Sequence, residues 1–253
     1  MKSLREIFDQ HDKRLIHKYE HYIEIYEEYF SKYRNTNVSI LEIGLSQGGS
    51  IDMWKEYFGP ELTFYGVDIN ADNKSFEEPN VKIFIGSQSD KIFLNSIKSK
   101  ISEVDILIDD GGHTMEQQVA TFDVMFDHVK PGGIYLCEDV QTSYMKHFYG
   151  KYKGKNTFIE YSKGFIDQLH AWFSEDKSKF KIDSLTRNIK AIHYYTSMVF
   201  IEKEKMTEPV EVKKGKATIG FGGNIGYYET NMPLKDKITQ NLKNIKNSLK
   251  SRK

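Results

Sequence analysis

Two short groups of acidic residues carry the strongest chemical signal in the sequence. Asp109 and Asp110 precede His113 in the run Asp-Asp-Gly-Gly-His, and a second pair consists of Glu138 and Asp139. Carboxylates that lie close together repel one another, which raises their pKa values. A hard divalent cation with oxygen ligands removes this repulsion, and Mg²⁺ suits a site that keeps room for waters and substrate oxygens. The alternative is that these acids cap helices or accept hydrogen bonds from backbone amides.

His113 has the chemistry of a general base. A neutral imidazole three residues after Asp110 can take a proton from a hydroxyl group that is held beside it. His113 is also the one histidine in the set of residues that follow the predicted strands. We therefore predict that His113 is the catalytic base; the alternative is a residue next to a helix N-terminus with no catalytic role.

A glycine turn points to a nucleotide-type cofactor. Gly44 follows a short β-rich run and permits a sharp turn with close approach of the backbone to a ligand. The N-terminus of the following helix offers free N–H groups to a carboxylate or phosphate. Asp68 ends the next strand, where its carboxylate can accept two hydrogen bonds from ribose hydroxyls, as in sites for NAD and for S-adenosyl-L-methionine (SAM). Polar residues at 86–90 can serve an adenine edge.

These residues fall at the ends of strands in a regular alternation of strands and helices. Five β-rich runs are separated by helical patterns, and two more β-rich runs at 189–195 and 199–204 have a tight connection between them. The alternation predicts an α/β fold with a doubly wound, mostly parallel, Rossmann-like sheet of seven strands that ends in an antiparallel hairpin. In such sheets ligands bind beyond the carboxyl ends of the strands. The five runs lie at 38–44, 62–67, 81–85, 104–108 and 134–137.

The two ends of the chain have helical patterns. Apolar residues spaced by three and four predict one helix over residues 3–33 and another over the last residues, 233–250. The last helix follows a glycine-rich loop at 215–226, and we expect its apolar stripe to pack on the domain or across a homo-oligomer interface. That stripe consists of Leu234, Ile238, Leu242, Ile245 and Leu249.

No repeat or linker divides the chain. We therefore predict a single domain over residues 1–253, made of a helical cap (1–37), a core (38–205) and a C-terminal loop with an amphipathic helix (206–253). Inside this domain, helical patterns predict helices at 48–58, 90–98, 115–129 and 157–174.

Composition excludes several classes of protein. Lys plus Arg and Asp plus Glu number 36 each, so the formal charge is zero and no basic surplus favours nucleic acid. The single cysteine, Cys137, excludes an intramolecular disulfide and a multi-cysteine zinc site. The first residues lack the apolar stretch of a secretory signal, and no apolar run approaches the ~20 residues that span a bilayer. We expect a cytoplasmic protein without a membrane span.

Several motifs together resemble one family. With the terminal hairpin they are similar to the class I SAM-dependent methyltransferases, and more narrowly to the metal-dependent sugar O-methyltransferases of the macrocin and mycinamicin type and their cephalosporin hydroxylase-like relatives. The resemblance covers residues 38–145, and Ser46 stands where the glycine motif usually has its middle glycine. The motifs are Leu41-Glu42-Ile43-Gly44, Gly48-Gly49-Ser50, Gly66-x-Asp68-Ile69, Gln88-Ser89-Asp90, Asp109-Asp110-Gly111-x-His113 and Glu138-Asp139.

The resemblance implies a function and a set of site residues. It implies a SAM- and Mg²⁺-dependent O-methyltransferase that acts on a sugar hydroxyl, with His113 as the base. It assigns the metal to Asp110, Glu138 and Asp139. The cofactor residues that it implies are Glu42, Gly44, Ser46, Gly49, Ser50, Asp68, Ile69, Gln88, Ser89 and Asp110.

Two alternatives remain open at this stage. One keeps SAM and the metal but exchanges the sugar for another small polar compound, such as a phosphorylated or nucleotide-linked metabolite of surface polysaccharide biosynthesis; the basic residues of the last helix would attract a phosphate. The other is an NAD-dependent oxidoreductase on the same kind of sheet. The sequence contains no signature of the acceptor.

Overall fold

A seven-stranded sheet organises the protein. The structure is a computed structural model, and it describes residues 1–214 and Ile238. The helices and strands follow in this order: α1 (Leu4–Asp9), α2 (Tyr22–Phe30), β1 (Ser39–Ile43), α3 (Gly49–Phe58), β2 (Thr63–Asp68), β3 (Val81–Ile85), α4 (Lys91–Lys98), β4 (Val104–Asp109), α5 (Met115–Met125), β5 (Val129–Cys137), α6 (Phe158–His170), α7 (Ser184–Asn188), β6 (Ile189–Tyr195) and β7 (Met198–Lys203).

The topology of the sheet confirms the predicted fold class. The strand order is β3-β2-β1-β4-β5-β7-β6. Strands β1 to β5 are parallel, and β7 pairs antiparallel with both β5 and β6. Because the order reverses next to β1, a crevice opens beyond the carboxyl ends of β1 and β4. This arrangement is the predicted doubly wound sheet with a terminal hairpin.

The central strands are mostly apolar because helices cover both faces of the sheet. One apolar cluster includes Ile40, Ile106 and Trp54 of α3, and the other includes Leu41, Leu107 and Phe122 of α5. Neighbouring residues of one strand therefore pack on opposite sides of the sheet. This double burial explains why continuous apolar runs, rather than alternating ones, were the signal for β1 and β4.

The boundary between α5 and β5 differs from the prediction. Helix α5 ends at Met125, and β5 begins at Val129, so the residues Pro131-Gly132-Gly133 belong to the strand rather than to a loop before it. The register between β4 and β5 shifts over this stretch. A Cβ on Gly133 would lie 2.6 Å from the carbonyl oxygen of Asp105, so β4 approaches too closely for any side chain there.

The predicted N-terminal helix over residues 3–33 is wrong. Helix α1 ends at Asp9, α2 starts at Tyr22, and the residues between them, 10–21, form an irregular segment that we call the strap. Distant contacts hold it: the Arg14 guanidinium donates two hydrogen bonds, of 2.8 and 2.7 Å, to Asp52 of α3. A Cβ on Gly49 would lie 2.3 Å from the Arg14 carbonyl oxygen, so the strap packs directly on the start of α3.

The C-terminal predictions lie almost entirely outside the described residues. These are the loop at 215–226, the helix at 233–250 and the apolar stripe, of which only Ile238 is described; it is helical and 53% exposed. The chain divides into two compact units, Met1–Pro209 and Val210–Lys253, and all elements named above belong to the first. Within the described part of the chain, no helix combines the length and the apolar character needed to cross a bilayer.

Candidate functional site

A cavity of about 390 Å³ opens at the carboxyl ends of β1, β2, β4 and β5. The strap forms one wall of this cavity through Leu15, His17 and Lys18, and the strand ends form the rest. Of the residues predicted from the sequence, Gly49, Ser89 and Glu138 do not line it. Those that do are Glu42, Gly44, Ser46, Ser50, Asp68, Ile69, Gln88, Asp110, His113 and Asp139.

The turn after β1 has the geometry expected of a ligand-binding glycine turn. Gly44 has a φ of +90°, and a Cβ at this position would lie 2.0 Å from the carbonyl oxygen of Asp110, which excludes any side chain. Ser46 has a φ of +49°, a left-handed conformation that glycine adopts more easily. This backbone requirement explains why a glycine is usual where this chain has Ser46.

Asp68 fixes the same turn from the end of β2. Its Oδ2 accepts hydrogen bonds from the backbone N–H groups of Leu45 (2.8 Å) and Ser46 (3.2 Å), and its Oδ1 accepts one from Asn70 (2.8 Å). Carboxylate oxygens have about four acceptor positions in total, so one remains for a ligand hydroxyl. Asp68 therefore both shapes the turn and presents an acceptor at the cavity wall.

Gln88 lines the cavity, but its amide group forms hydrogen bonds with other residues of the protein. Its Nε2 donates to Asp109 and, over 3.0 Å, to Thr121. Its Oε1 accepts a hydrogen bond of 3.0 Å from the backbone N–H of Gly112. These contacts connect the loop after β3 to the loop after β4. Gln88 thereby positions the backbone that leads to His113.

Asp109 faces away from the other acids. It is fully buried, and it contacts Gln88 and, at 3.3 Å, the hydroxyl of Tyr135. Burial raises the pKa of Asp109 to about 8, and the charge of Asp110 adds to the effect. Since consecutive strand residues point to opposite faces, Asp109 cannot join Asp110 in one ligand set.

The free energy of unfolding should fall as the pH rises from about 4 to about 8. Folded Asp109 keeps its proton up to about pH 8, whereas its ordinary pKa is 3.8, so the folded state binds the extra proton in this range. Replacing Asp109 by Asn, which resembles the protonated acid in shape, should flatten this dependence. Urea denaturation between pH 5 and pH 8.5 with EDTA present measures both slopes, and equal slopes would contradict a protonated Asp109.

A lysine occupies the centre of the remaining carboxylates. The Nζ of Lys18 lies 2.5 Å from Asp110 Oδ2, 2.9 Å from Glu138 Oε2 and 3.8 Å from Glu42 Oε1. Its side chain is only 4% exposed. Although burial alone would lower it, the three carboxylates raise the pKa of Lys18 well above its ordinary value. The strap thus places a permanent positive charge in the acidic cluster.

The two deepest carboxylates have raised pKa values. Burial raises the pKa of Glu138 to about 8, with a further contribution from the charge of Asp110. Burial likewise raises the pKa of Glu42 to about 7. Glu42 accepts hydrogen bonds from Ser50 (2.9 Å) and from the indole N–H of Trp54 (3.2 Å) through Oε2 alone.

Two tyrosines of α2 hold the second acidic pair. The hydroxyl of Tyr26 donates to Glu138 Oε1 over 2.6 Å, and the hydroxyl of Tyr22 donates to Asp139 Oδ1 over 2.9 Å. Both rings are buried. Glu138 therefore has Tyr26 on one oxygen and Lys18 on the other. Both tyrosines pack in the core, and their hydroxyls also orient the site.

Asp110, His113 and Asp139 form the part of the cluster that faces the cavity. One ligand atom from each lies within 4.8 Å of the others, close enough to hold a metal ion. His113 Nε2 is 3.4 Å from Asp139 Oδ2 and 4.0 Å from Asp110 Oδ1. His113 Nδ1 is buried and has no hydrogen-bond partner among the described residues. Oxygen-rich donors of this kind fit Mg²⁺, and the same geometry allows His113 to act as a ligand or as a base.

Three non-glycine residues of the cavity have a left-handed backbone conformation. His113 and Asp139 have φ values of +55° and +54°, and Ser46 is the third cavity residue in the left-handed region. Non-glycine residues adopt this conformation at a cost and keep it only where the surrounding structure imposes it. The fold thereby aims the imidazole and the second carboxylate into the same space.

Sequence reasoning missed Lys18 and the carboxylate contacts of the two tyrosines. The nearest signal was the apolar spacing near the N-terminus, which predicted a helix but not the polar partners of its tyrosines. Lys18 had no signal, because its partners Asp110 and Glu138 are 92 and 120 positions away in the chain. Only the fold brings these residues together.

Comparisons with known proteins identify similar enzymes. The chain is 35% identical over 200 residues to the 8-demethyl-8-alpha-L-rhamnosyl tetracenomycin-C 2'-O-methyltransferase of Streptomyces olivaceus, which covers 76% of this chain and 52% of that protein. It is 35% identical over 189 residues to the demethylmacrocin O-methyltransferase of Streptomyces fradiae, covering 70% and 47%. The chain thus spans about half the length of the curated relatives it matches. No protein-family model matches it.

A solved methyltransferase structure of similar fold contains Mg and SAH. The MycE methyltransferase from the mycinamycin biosynthetic pathway, in complex with Mg and SAH, is 30% identical with a TM-score of 0.74; the match covers 81% of this chain and 55% of that one. A second structure of MycE, with Mg, SAH and mycinamycin VI, has a TM-score of 0.72 with 31% identity and covers 81% and 54%.

Proposed function

This chain has the class I methyltransferase fold and is a homologue of the macrocin- and mycinamicin-type sugar O-methyltransferases, and from that premise we propose that it transfers a methyl group from SAM to a sugar hydroxyl with the help of Mg²⁺. The observation that carries the proposal is the cavity at the ends of β1 and β4. It combines a glycine turn, the carboxylate of Asp68 and the cluster of Asp110, His113 and Asp139 in one space.

The proposed cofactor site uses the turn after β1. Gly44 lets the backbone approach the cofactor closely, and Asp68 offers its free acceptor position to a ribose hydroxyl. Two of the predicted cofactor residues, Gly49 and Ser89, do not line the cavity, and Gly49 instead packs against the strap. When bound, SAM supplies an activated methyl group on its sulfonium.

The proposed metal site keeps the predicted ligands Asp110, Glu138 and Asp139. Asp110 and Asp139 face the cavity, while Glu138 lies beneath them and is shared with Lys18. When bound, Mg²⁺ would act as a Lewis acid that lowers the pKa of the acceptor hydroxyl. The tyrosine hydroxyls of α2 hold the carboxylates in fixed orientations, which reduces the reorganisation needed at the site.

We propose that His113 removes the proton of the acceptor hydroxyl. The Nε2 of His113 lies 3.4 Å from Asp139 Oδ2 and 4.0 Å from Asp110 Oδ1, so the nitrogen that faces the proposed metal ligands is the one placed to accept the proton. The alkoxide oxygen then attacks the methyl carbon, and the electron pair of the broken carbon–sulfur bond stays on sulfur. Alignment and proton removal are the main tasks of the chain.

The comparisons with known proteins support neither alternative function. The relatives are named for tetracenomycin glycosides and macrocin, so none of these names supports polysaccharide biosynthesis. Nothing in the comparisons supports the NAD-dependent oxidoreductase, because the similar structures of MycE hold SAH and Mg. The location of the protein and its assembly as a homo-oligomer stay predictions.

A screen of sugar acceptors tests the proposed function. The protein is incubated with SAM, Mg²⁺ and a panel of glycosides, sugar phosphates and nucleotide sugars, and S-adenosylhomocysteine and methylated products are measured by mass spectrometry. We expect product with at least one sugar, loss of turnover with EDTA and its return with excess Mg²⁺. A protein that binds NAD but not SAM in calorimetry would overturn the proposal, and full turnover after chelation would remove the metal from it.

Replacing Asp68 by Ala should weaken SAM binding at least tenfold. The change removes a charged acceptor for the ribose, worth about 1.5–3 kcal/mol per hydrogen bond, and frees the turn at Leu45 and Ser46. Calorimetric titration with SAM measures the effect. Asp72, an exposed acid beyond β2, provides the matched control, and its replacement by Ala should leave SAM affinity unchanged. Equal affinities of the two variants would contradict the assignment of Asp68.

A further inference from the structure

The loop that leaves the site after Asp139 has an unusual composition. Residues 144–155, which we call the basic aromatic segment, read Tyr-Met-Lys-His-Phe-Tyr-Gly-Lys-Tyr-Lys-Gly-Lys. The segment contains four lysines and no acidic residue, although the whole chain is electrically balanced. It therefore forms a local positive patch directly beside an acidic site.

The backbone of this segment is tightly held. The N–H of Gly150 donates to the carbonyl oxygen of Met145 over 2.9 Å, and that of Gly154 donates to Lys151 over 2.8 Å. A Cβ on Gly150 would lie 2.1 Å from the carbonyl oxygen of Thr142, so the turn packs closely on the buried residues that follow β5. The side chains of the segment are thus displayed from a well-packed support.

The aromatic side chains of the segment face solvent. Tyr144, Tyr149 and Tyr152 are 52%, 74% and 71% exposed, and the rings of Tyr144 and Tyr152 lie 6.4 Å apart with a tilt of 34°. Exposed rings grouped in this way are typical of surfaces that bind a flat or apolar ligand face. Tyr144 and Tyr152 therefore provide a stacking surface.

The lysines of the segment are available to an anion. Lys146, Lys151, Lys153 and Lys155 are all exposed, and none of them forms an ion pair within the described residues 1–214. The Nζ of Lys153 lies 5.4 Å from the centre of the Tyr152 ring, so positive charge and aromatic surface adjoin each other. Charge complementarity thus favours a ligand that joins an aromatic group to phosphate.

The segment also connects to the catalytic cluster. The ring of Phe148 is 6.3 Å from the ring of His113 and crosses it edge to face. At its other end, Lys155 and Asn156 line a second cavity of about 380 Å³, to which Lys91 of α4 also contributes. The contact of Phe148 with His113 places one part of the segment next to the site, so a ligand held at His113 can extend over the segment.

We propose that the basic aromatic segment binds the non-reacting part of the acceptor, and that the acceptor is a sugar joined to a nucleoside diphosphate. The base stacks on Tyr144 and Tyr152, the lysines pair with the diphosphate, and the sugar lies at His113 beside Phe148. This inference rests on the proposed transfer to a sugar hydroxyl and specifies the class of acceptor for it. Phosphate and aromatic surface together select this class over neutral glycosides.

Binding of nucleoside diphosphates tests the inference without turnover. Uridine diphosphate, guanosine diphosphate and inorganic pyrophosphate are titrated calorimetrically into the protein with S-adenosylhomocysteine at saturation, which keeps nucleotides out of the cofactor site. The variants are the double changes Tyr144→Ala with Tyr152→Ala and Lys151→Ala with Lys153→Ala. Phe173→Ala and Lys100→Ala, at exposed positions outside the segment, are the matched controls.

We expect the wild type and both controls to bind at least one nucleoside diphosphate, and to bind it more weakly as salt rises. The lysine variant should lose at least tenfold in affinity for nucleotide and pyrophosphate alike, and the tyrosine variant should lose as much for nucleotide only. Pyrophosphate binding equal to nucleotide binding would overturn the nucleoside part and point to a phosphate on a lipid or polymer. Nucleotide binding that is absent or equal in all proteins would overturn the inference.

A separate measurement distinguishes failure of the inference from failure of the proposed function. All variants should bind SAM with the affinity of the wild type, because none of the changed residues lines the cofactor cavity. Methylation of a neutral glycoside at equal rates by the wild type and both variants would keep the proposed function and overturn the inference. A wild type that binds no SAM would overturn the proposed function itself.

Discussion

Replacing His113 by Ala should lower kcat by about 10²–10⁴-fold, the usual contribution of a general base. A sugar hydroxyl is a weak acid, so little alkoxide exists at neutral pH without a base in hydrogen-bond reach. In the proposed mechanism the Nε2 of His113, which lies 3.4 Å from Asp139 Oδ2, accepts this proton. Because the base acts on the hydroxyl and not on the cofactor, SAM affinity and KM should change little. Steady-state kinetics and SAM calorimetry measure both effects.

A chemical rescue separates loss of the base from a general disturbance of the site. Added imidazole should restore part of the turnover of His113→Ala, since a free imidazole fits the space that the ring leaves. The matched control is His17→Ala, because His17 is the other histidine that lines the cavity. His17→Ala should keep turnover near that of the wild type and should not respond to imidazole.

The His113→Ala variant also distinguishes a general base from a metal ligand. Asp110, His113 and Asp139 are close enough for the imidazole to coordinate a cation directly. If His113 is a base, Mn²⁺ titrated into His113→Ala should bind as it does to the wild type. Loss of cation affinity together with turnover would show that His113 is a ligand. Turnover near that of the wild type would show that another group removes the proton.

The sequence was sufficient to predict the sheet because its strands are buried on both faces. Runs such as Ile40 to Ile43 and Val104 to Ile108 are apolar at all but one position each, and the handedness rule for crossover connections leaves few ways to arrange them. The site residues could then be predicted because ligands bind beyond the carboxyl ends of parallel strands. Gly44 was identifiable because a residue at that point must have a positive φ and no side chain.

The strap and its lysine were beyond sequence reasoning for a physical reason. Apolar spacing around Leu15, Ile16 and Tyr19 suits a helix, but the ion pair of Arg14 with Asp52 and the insertion of Lys18 among carboxylates override that local preference. Such contacts depend on residues far away in the chain. The hydrogen bonds of the Gln88 amide with Asp109, Thr121 and Gly112 were likewise not predictable from the sequence, whereas its contact with the cofactor stays a prediction.

Replacing Lys18 by Met should destabilise the protein by about 3–5 kcal/mol when EDTA removes divalent cations, as expected for a buried charge cluster that loses one partner. Met keeps the length of the side chain and removes only the ammonium. Asp110 and Glu138, at 2.5 and 2.9 Å from the ammonium, then face each other without a counter-charge. Urea denaturation at pH 8 measures the loss.

The loss should be smaller at lower pH. The pKa of Glu138 is about 8 and that of Glu42 about 7 even with Lys18 present, and removing the ammonium raises both. These carboxyls therefore take up protons as the pH falls through this range, which relieves their repulsion in the variant. Repeating the denaturation at pH 6 should bring the variant closer to the wild type.

In the Lys18→Met variant, a divalent cation should provide the counter-charge that the ammonium provides to the carboxylates in the wild type. In the proposed metal site Mg²⁺ and Lys18 would share Asp110 and Glu138, so removing the ammonium would take away a positive charge that repels the cation at close range. We expect Lys18→Met to bind Mg²⁺ at least tenfold more tightly in calorimetry and to gain more stability from it than the wild type does. Denaturation experiments with and without Mg²⁺ measure this gain in stability, so no assay of methyl transfer is needed.

A half-exposed lysine outside the site provides the matched control for Lys18. Lys130 pairs with Asp105 at 2.8 Å, and its replacement by Met should cost at most about 1 kcal/mol, as for surface ion pairs, and leave Mg²⁺ affinity unchanged. Stability of Lys18→Met equal to that of Lys130→Met would show that the ammonium does not sit among the carboxylates in solution. Weaker Mg²⁺ binding by Lys18→Met would show that the lysine orients the ligands for the cation, because direct competition for the same oxygens requires the opposite sign.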